Sequence, residues 1–180
     1  MTALSVDIPV IETERLILRE PREADLPAVA AFLASERSGF VGGNDADPWK
    51  AWALFASGLG HWFLRGYGFW TLQDRQTGRP AGRVGFTFPP IWSEPELGWQ
   101  VYDGFEGQGL AYEAAMAARA AGPRLFGLDG VISHVDPANT RSRRLAERMG
   151  AAVERESELL GKPVLIYRHP RAASTNGAAA

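Results

Sequence analysis

Cysteine is absent from the 180-residue chain, which excludes disulfides, thiolate metal sites and any acyl-cysteine intermediate. Also missing is an excess of either charge. Nineteen basic side chains face 21 acidic ones, a formal net charge of −2, so no general field draws the chain to DNA or RNA. No uncharged apolar run is long enough to span a membrane, and residues 1–14 lack the basic start and apolar stretch of a signal peptide. Histidine is scarce: His61, His134 and His169 lie far apart, without a spacing such as HExxH, so no metal is expected. These absences describe a soluble, cytoplasmic protein whose partners include neither nucleic acid nor membrane.

What remains has ordinary globular composition, 46% hydrophobic and 22% charged, in a length that suits one domain with a real core. Arg15 to Arg19 is rich in branched apolar residues and predicts a strand; Pro21 to Asp25 turns the chain into a helix through Leu26, Val29 and Leu33. Glycines at 39, 42 and 43 make residues 38–47 a mobile loop, ended by Asp47 as cap and Pro48 in the first turn of a second helix. On that helix Trp49, Trp52, Ala53, Ala56 and Leu59 recur on one side. Residues 69–73 and 83–88 predict a hairpin, extended to a meander by residues 96–101. Alanines at helical spacing follow from Leu110 until Gly122-Pro123 stops the pattern. Residues 131–135 predict a strand, Asp136-Pro-Ala-Asn139 leads into a helix with Leu145 and Met149 on one face and Gly150 as its stop, and residues 163–168 predict a last strand.

The most informative stretch is Glu96 to Ala114, which joins a strand, a glycine turn and a helix start. Gly107 and Gly109 carry no Cβ, so the backbone can approach an anion, and the helix behind them offers unpaired N–H groups and a positive dipole end. The turn lacks the Lys-Ser/Thr pair of a P-loop, and no dinucleotide fingerprint is present.

In this order of elements the chain resembles the GNAT superfamily of acyl-CoA-dependent N-acetyltransferases over residues 12–168, with 1–11 as an extension and 169–180 as a disordered tail. Within it the chain is most similar to the ribosomal-protein N-terminal acetyltransferase branch. The similarity rests on Thr13-Glu-Arg-Leu-Ile-Leu-Arg19, Glu96-Leu-Gly98, Gly107-Gln-Gly-Leu-Ala-Tyr-Glu-Ala114, and Asn139-Thr-Arg-Ser142 ahead of Glu147-Arg-Met-Gly150. The resemblance implies a single α/β domain: a mostly antiparallel mixed sheet, splayed at a cofactor cleft, with helices on both faces. It implies acetyl-CoA as cofactor, its pyrophosphate on backbone N–H groups of Gly107, Gln108, Gly109, Leu110, Ala111 and Tyr112. Asn139 would meet the pantetheine arm, Ser142 the thioester sulfur, and the strand residues Trp99, Gln100 and Val101 would line the cofactor.

Two positions depart from the superfamily pattern. Glu106 stands where Gln or Arg usually opens the phosphate motif, and Ala146 stands where many members hold a general-acid tyrosine. They favour an alternative, an acyl-CoA-binding module without turnover. In the catalytic reading a carboxylate must accept the ammonium proton, and Glu96 is the choice, acting through a water. Ser142, a water or nothing protonates the leaving thiolate. Phe40, Trp49, Trp52 and Phe63 are expected to wall the acceptor pocket. Glu113 serves the helix dipole. Among Arg141, Arg143, Arg144 and Arg148, one or two would meet the adenosine phosphate. His134 reads as a structural hydrogen bonder. The acceptor is a primary amine, on a small molecule or a protein N-terminus, and a homodimer through exposed strands or aromatic helices is the expected assembly.

Overall fold

Leu16 and Leu18 stand two residues apart on one side of a strand, and both are fully buried, which makes the first long strand a core strand. A computed structural model describes residues 5–172. Its strands are β1 (Ile11–Glu12), β2 (Leu16–Arg19), β3 (Phe69–Asp74), β4 (Pro80–Thr87), β5 (Glu96–Val101), β6 (Ile132–Val135), β7 (Ala152–Leu159) and β8 (Lys162–Arg168). The helices are α1 (Leu26–Ala34), α2 (Pro48–Arg65), α3 (Leu110–Phe126) and α4 (Thr140–Arg148). The strands form one mixed sheet in the order β1-β2-β3-β4-β5-β6-β8-β7, antiparallel throughout except between β5 and β6.

The small residues of α3 let it lie close to the sheet: Ala114, Ala115 and Ala118 are fully buried against Trp70, Leu72, Phe86 and Leu97. The other face of the meander turns toward α2, and a second apolar cluster joins α1 to α2 through Val29, Phe32, Leu33, Ala51 and Phe55. Asp47 caps α2 by accepting from the Trp49 N–H at 2.8 Å. Four expectations are corrected here. The buried side of α2 is Ala51, Phe55 and Trp62, whereas Trp49 is 70% exposed and Trp52 43%. Gly122-Pro123 does not stop α3, which runs on to Phe126 because that ring packs among Trp62, Trp70 and Phe86, and Gly127 (φ 69°) closes it instead. Within the expected loop, residues 36–41 form a 3-10 helix around the buried Ser38, whose hydroxyl accepts from the Asn44 N–H at 2.6 Å. The strand β7 was not foreseen, since nearly all its residues are exposed and no apolar alternation marks it. Of the expected tail, His169 is buried in the domain, while residues 173–180 lie outside the described residues.

Two buried polar sites tie the layers together. The Asp25 carboxylate receives Arg19 at 2.8 and 2.9 Å, the Thr71 hydroxyl at 2.9 Å and the Arg22 N–H at 2.9 Å. Burial would raise the Asp25 carboxyl, and these donors more than offset it, leaving it below the usual carboxylate range. The Ser133 hydroxyl donates to the Leu97 carbonyl at 2.6 Å, so it accepts from His169 Nε2 at 2.9 Å, which fixes the proton of that imidazole on Nε2. Burial, with the charges of Arg119 and Arg168, lowers His169 to about 4.

Removing one partner of the Arg19–Asp25 pair strands a buried charge, so Asp25→Ala is expected to cost about 3–5 kcal/mol in urea denaturation at neutral pH. His169 stays neutral in the fold while the unfolded chain takes up a proton below the ordinary histidine value. Its stabilising effect is therefore complete above about pH 6.5 and is lost as the pH falls toward 4, by up to about 3 kcal/mol. Unfolding free energies measured across that window should show this slope, and His169→Gln should flatten it.

Candidate active site

β5 and β6 pair at one position only, Glu96 opposite Ile132, and then separate. Pro95 O and Leu97 O both face β6, the first accepting from the Ile132 N–H at 3.3 Å and the second from the Ser133 hydroxyl. With a period of two, the backbone groups of Trp99 and Val101 point the same way, into the gap. The Val101 carbonyl there accepts from Arg37 at 2.9 Å.

The gap opens into a cavity of about 600 Å³ that runs to the glycine turn. Trp99, Gln100 and Val101 line it from the strand; Gly107, Gly109, Leu110, Ala111 and Tyr112 from the turn and first helical residues; Asn139 and Ser142 from α4. Every residue predicted for the cofactor is therefore gathered here except Gln108, whose amide donates to the Gly104 carbonyl at 3.0 Å and whose own carbonyl accepts from Arg15 at 2.7 Å. Gly107 and Gly109 hold φ of 71° and 79°, conformations that a side chain would strain, and α3 starts without a side-chain cap, leaving its first N–H groups for an anion. Asn139 Oδ1 caps α4 by accepting from the Ser142 N–H at 3.1 Å. Arg141 and Arg148 border the cavity, the latter over the Tyr112 ring at 4.1 Å, whereas Arg143 is turned to the Tyr167 hydroxyl. The donor set suits a pyrophosphate and an amide-bearing arm.

Both departures from the superfamily pattern find their place. Glu106 lies 2.9 Å from Arg37, which also binds Asp103, and backbone N–H groups of its loop together with Arg37 hold its carboxyl below the usual range. Ala146 is fully buried against Val135, Ala151 and Tyr167 and brings no acid to the cavity. Glu113 does more than serve the dipole: its carboxylate accepts from Thr13 at 2.6 Å and from the Arg15 N–H and side chain at 2.8 and 2.7 Å, pinning the β1–β2 turn to α3.

A second cavity of about 670 Å³ adjoins the first, and Asn139, Ser142, Gln100 and Phe40 border both. Glu96 and His134 line this chamber. Glu96 Oε2 lies 3.0 Å from His134 Nδ1 and accepts from the Trp92 indole N–H, while Oε1 accepts from the His134 N–H at 3.2 Å. His134 Nε2 has no protein partner among the described residues, so the pair presents a free ring nitrogen. Sequence reading missed this partnership because the two residues are 38 apart and meet only through the β5–β6 bridge.

Of the expected acceptor walls, Phe40 lines the chamber, but Trp49, Trp52 and Phe63 are exposed and do not line it. The helix contributes Leu54, Gly58, His61 and Arg65 instead, a stripe at four-, seven- and eleven-residue spacing. His61 is structural: Nδ1 donates to the Tyr67 carbonyl at 2.6 Å, Nε2 accepts from the Phe88 N–H at 2.9 Å, and burial lowers its pKa. Among the described residues no three His, Asp or Glu side chains gather as a metal group, and no helix is long and apolar enough to cross a membrane.

The family model of the acetyltransferase (GNAT) domain matches residues 15–152. Uncharacterized protein YkkB of Bacillus subtilis (strain 168) is 31% identical over 109 residues, a match that spans 57% of this chain and 62% of that curated relative, less than two thirds of its length. The solved acetyltransferase from Agrobacterium tumefaciens str. C58 is 36% identical, with a TM-score of 0.84 over 95% of this chain and 99% of that one. A Salmonella typhimurium acetyl transferase that modifies the N-terminal serine of the 50S ribosomal subunit protein L7/L12 is alike in fold alone, at 18% identity and a TM-score of 0.75, over 91% of this chain and all of that one. A splayed mixed sheet, an uncapped helix behind a glycine turn and a family match over most of the residues lead to one conclusion: the chain belongs to the GNAT acetyltransferase family.

Proposed function

We propose that the protein transfers an acetyl group from acetyl-CoA to a primary amine, on a small molecule or a peptide N-terminus, by direct attack in a ternary complex. One observation carries this reading: the cavity of the glycine turn meets the chamber of Glu96 and His134 at Asn139 and Ser142, so a thioester laid along the first would end beside a proton acceptor in the second. With no cysteine in the chain, attack by the amine itself needs no acyl-cysteine.

In this proposal the turn and the start of α3 bind the pyrophosphate through backbone N–H groups, and the Trp99 backbone pairs with the pantetheine amides. The amine nitrogen attacks the carbonyl carbon, its proton passes to the Glu96–His134 pair at Nε2, and the carbon–sulfur bond breaks to release the CoA thiolate. Ser142 borders both cavities, where its hydroxyl can donate a hydrogen bond to that sulfur, and the thiolate leaves as such or takes its proton from water. The Glu96 carboxylate on Nδ1 orients the imidazole and leaves Nε2 turned to the chamber as the accepting nitrogen, which is the work a general base requires. The protein acts in the cytoplasm.

Calorimetric titration with acetyl-CoA is expected to give saturable binding where ATP gives none, and Gly107→Val, which forces a branched residue to positive φ, is expected to abolish it. Glu96→Gln should leave that binding intact and lower kcat by about a hundredfold or more, with the rising limb of the pH–rate profile displaced; unchanged turnover and profile would rule out the role. His134→Gln should lower turnover to a comparable degree, since both substitutions disable one unit.

A further inference from the structure

Two arginines border the acceptor chamber without an acidic partner among the described residues. Arg65 lies over the Phe88 ring at 5.1 Å and Arg83 over the Phe69 ring at 5.0 Å. Strand alternation places Arg83, Gly85 and Thr87 on one face of β4, and the register sets Gln100, Gly98 and Glu96 opposite them on β5. All of these but Gly85 line the chamber. At its centre the Phe69 ring lies across Gly98, where a Cβ would fall 2.7 Å from the ring. Arg83 Nε donates to Gln100 Oε1 at 2.7 Å, and the aromatic contact occupies one face of the guanidinium. What is left over is its outer edge, two NH₂ groups in the fork that matches a carboxylate.

The acids of the chamber are not free to take that edge. Glu96 is engaged with Trp92 and His134, and Asp136 accepts from the Ala138 N–H at 2.8 Å. The phosphates of the acyl donor are not its partner either, because Arg83 does not border the cavity of the glycine turn. Glu96 and Gln100 are four residues apart on β5, about 13 Å between Cα atoms at strand spacing, with the Phe69 ring between the two ends. An α-amino acid, whose two charged groups share one carbon, is too short to touch both.

Resting on the acetyltransferase reading, we infer that Arg83 selects the acceptor: an amine that carries a carboxylate at the far end of an apolar spacer, the amine at Glu96–His134, the spacer on Phe69 and the carboxylate on the Arg83 fork.

The test compares acetylation of ε-aminocaproate with that of its amide, at saturating acetyl-CoA, by the natural protein and by Arg83→Gln. The natural protein is expected to favour the acid by about tenfold or more in kcat/KM, chiefly through KM, and the variant to bring the ratio near one. Equal rates on acid and amide overturn this inference while leaving the acetyltransferase reading intact, and the natural protein alone decides that even if the variant fails to fold. A preference that survives in Arg83→Gln overturns the role of Arg83. A preference for succinyl-CoA over acetyl-CoA that Arg83→Gln removes, without acid–amide discrimination, assigns the carboxylate to the donor and overturns the acceptor assignment. Failure to bind acetyl-CoA or to turn over any amine overturns the acetyltransferase reading, and this inference with it.

Discussion

A single residue pair joins the two parts of the sheet. The five strands from β1 to β5 and the three strands β6, β8 and β7 share one backbone bridge, Glu96 opposite Ile132. Parallel strands that continued in register would leave no gap, and strands that never met would leave Glu96 and His134 apart. Side chains supplement the bridge on either side of it: the Ser133 hydroxyl reaches the Leu97 carbonyl, and Arg168 grips Glu94 with two contacts at 2.5 and 2.8 Å. The second grip holds the Glu94 carboxyl below its ordinary range and Arg168 above its own. The cleft is therefore a property of the sheet, set before any ligand arrives.

The second constraint falls on α2. One stripe of this helix packs on α1 and the sheet, while another, Leu54, Gly58, His61 and Arg65, walls a cavity. A helix with two such duties shows apolar residues on more than one side, and its exposed tryptophans then belong to neither.

This is why the fold was more legible than the site. Glycines at 107 and 109 announce positive φ ahead of an alanine helix, and the strands of the meander carry ordinary alternation, so most of the residues lining the first cavity could be read from the sequence. Periodicity alone could not choose among the sides of α2, which put Trp49 and Trp52 in the wrong place. β7 escaped because Glu154, Arg155, Glu156 and Glu158 leave it without a buried face to signal it. Pro123 ends most helices, but a helix whose last ring, Phe126, is drawn into an aromatic cluster continues past it. The pairing of Glu96 with His134 and the placing of Arg83 beside Phe69 depend on strand register, which no local pattern contains.

Arg37 lines the first cavity beside the wall that the two cavities share. It holds Glu106 and Asp103 of the phosphate turn and the Val101 carbonyl of the strand, and it belongs to the same 3-10 helix as Phe40 and Val41, which border both cavities. Arg37 and Glu106, paired at 2.9 Å, line the first cavity, while Phe40 and Val41 carry the same segment to the second. The two cavities thus share one wall, and thermodynamic reciprocity makes whatever an occupant of the first does to the affinity of the second equal to what an occupant of the second does to the first.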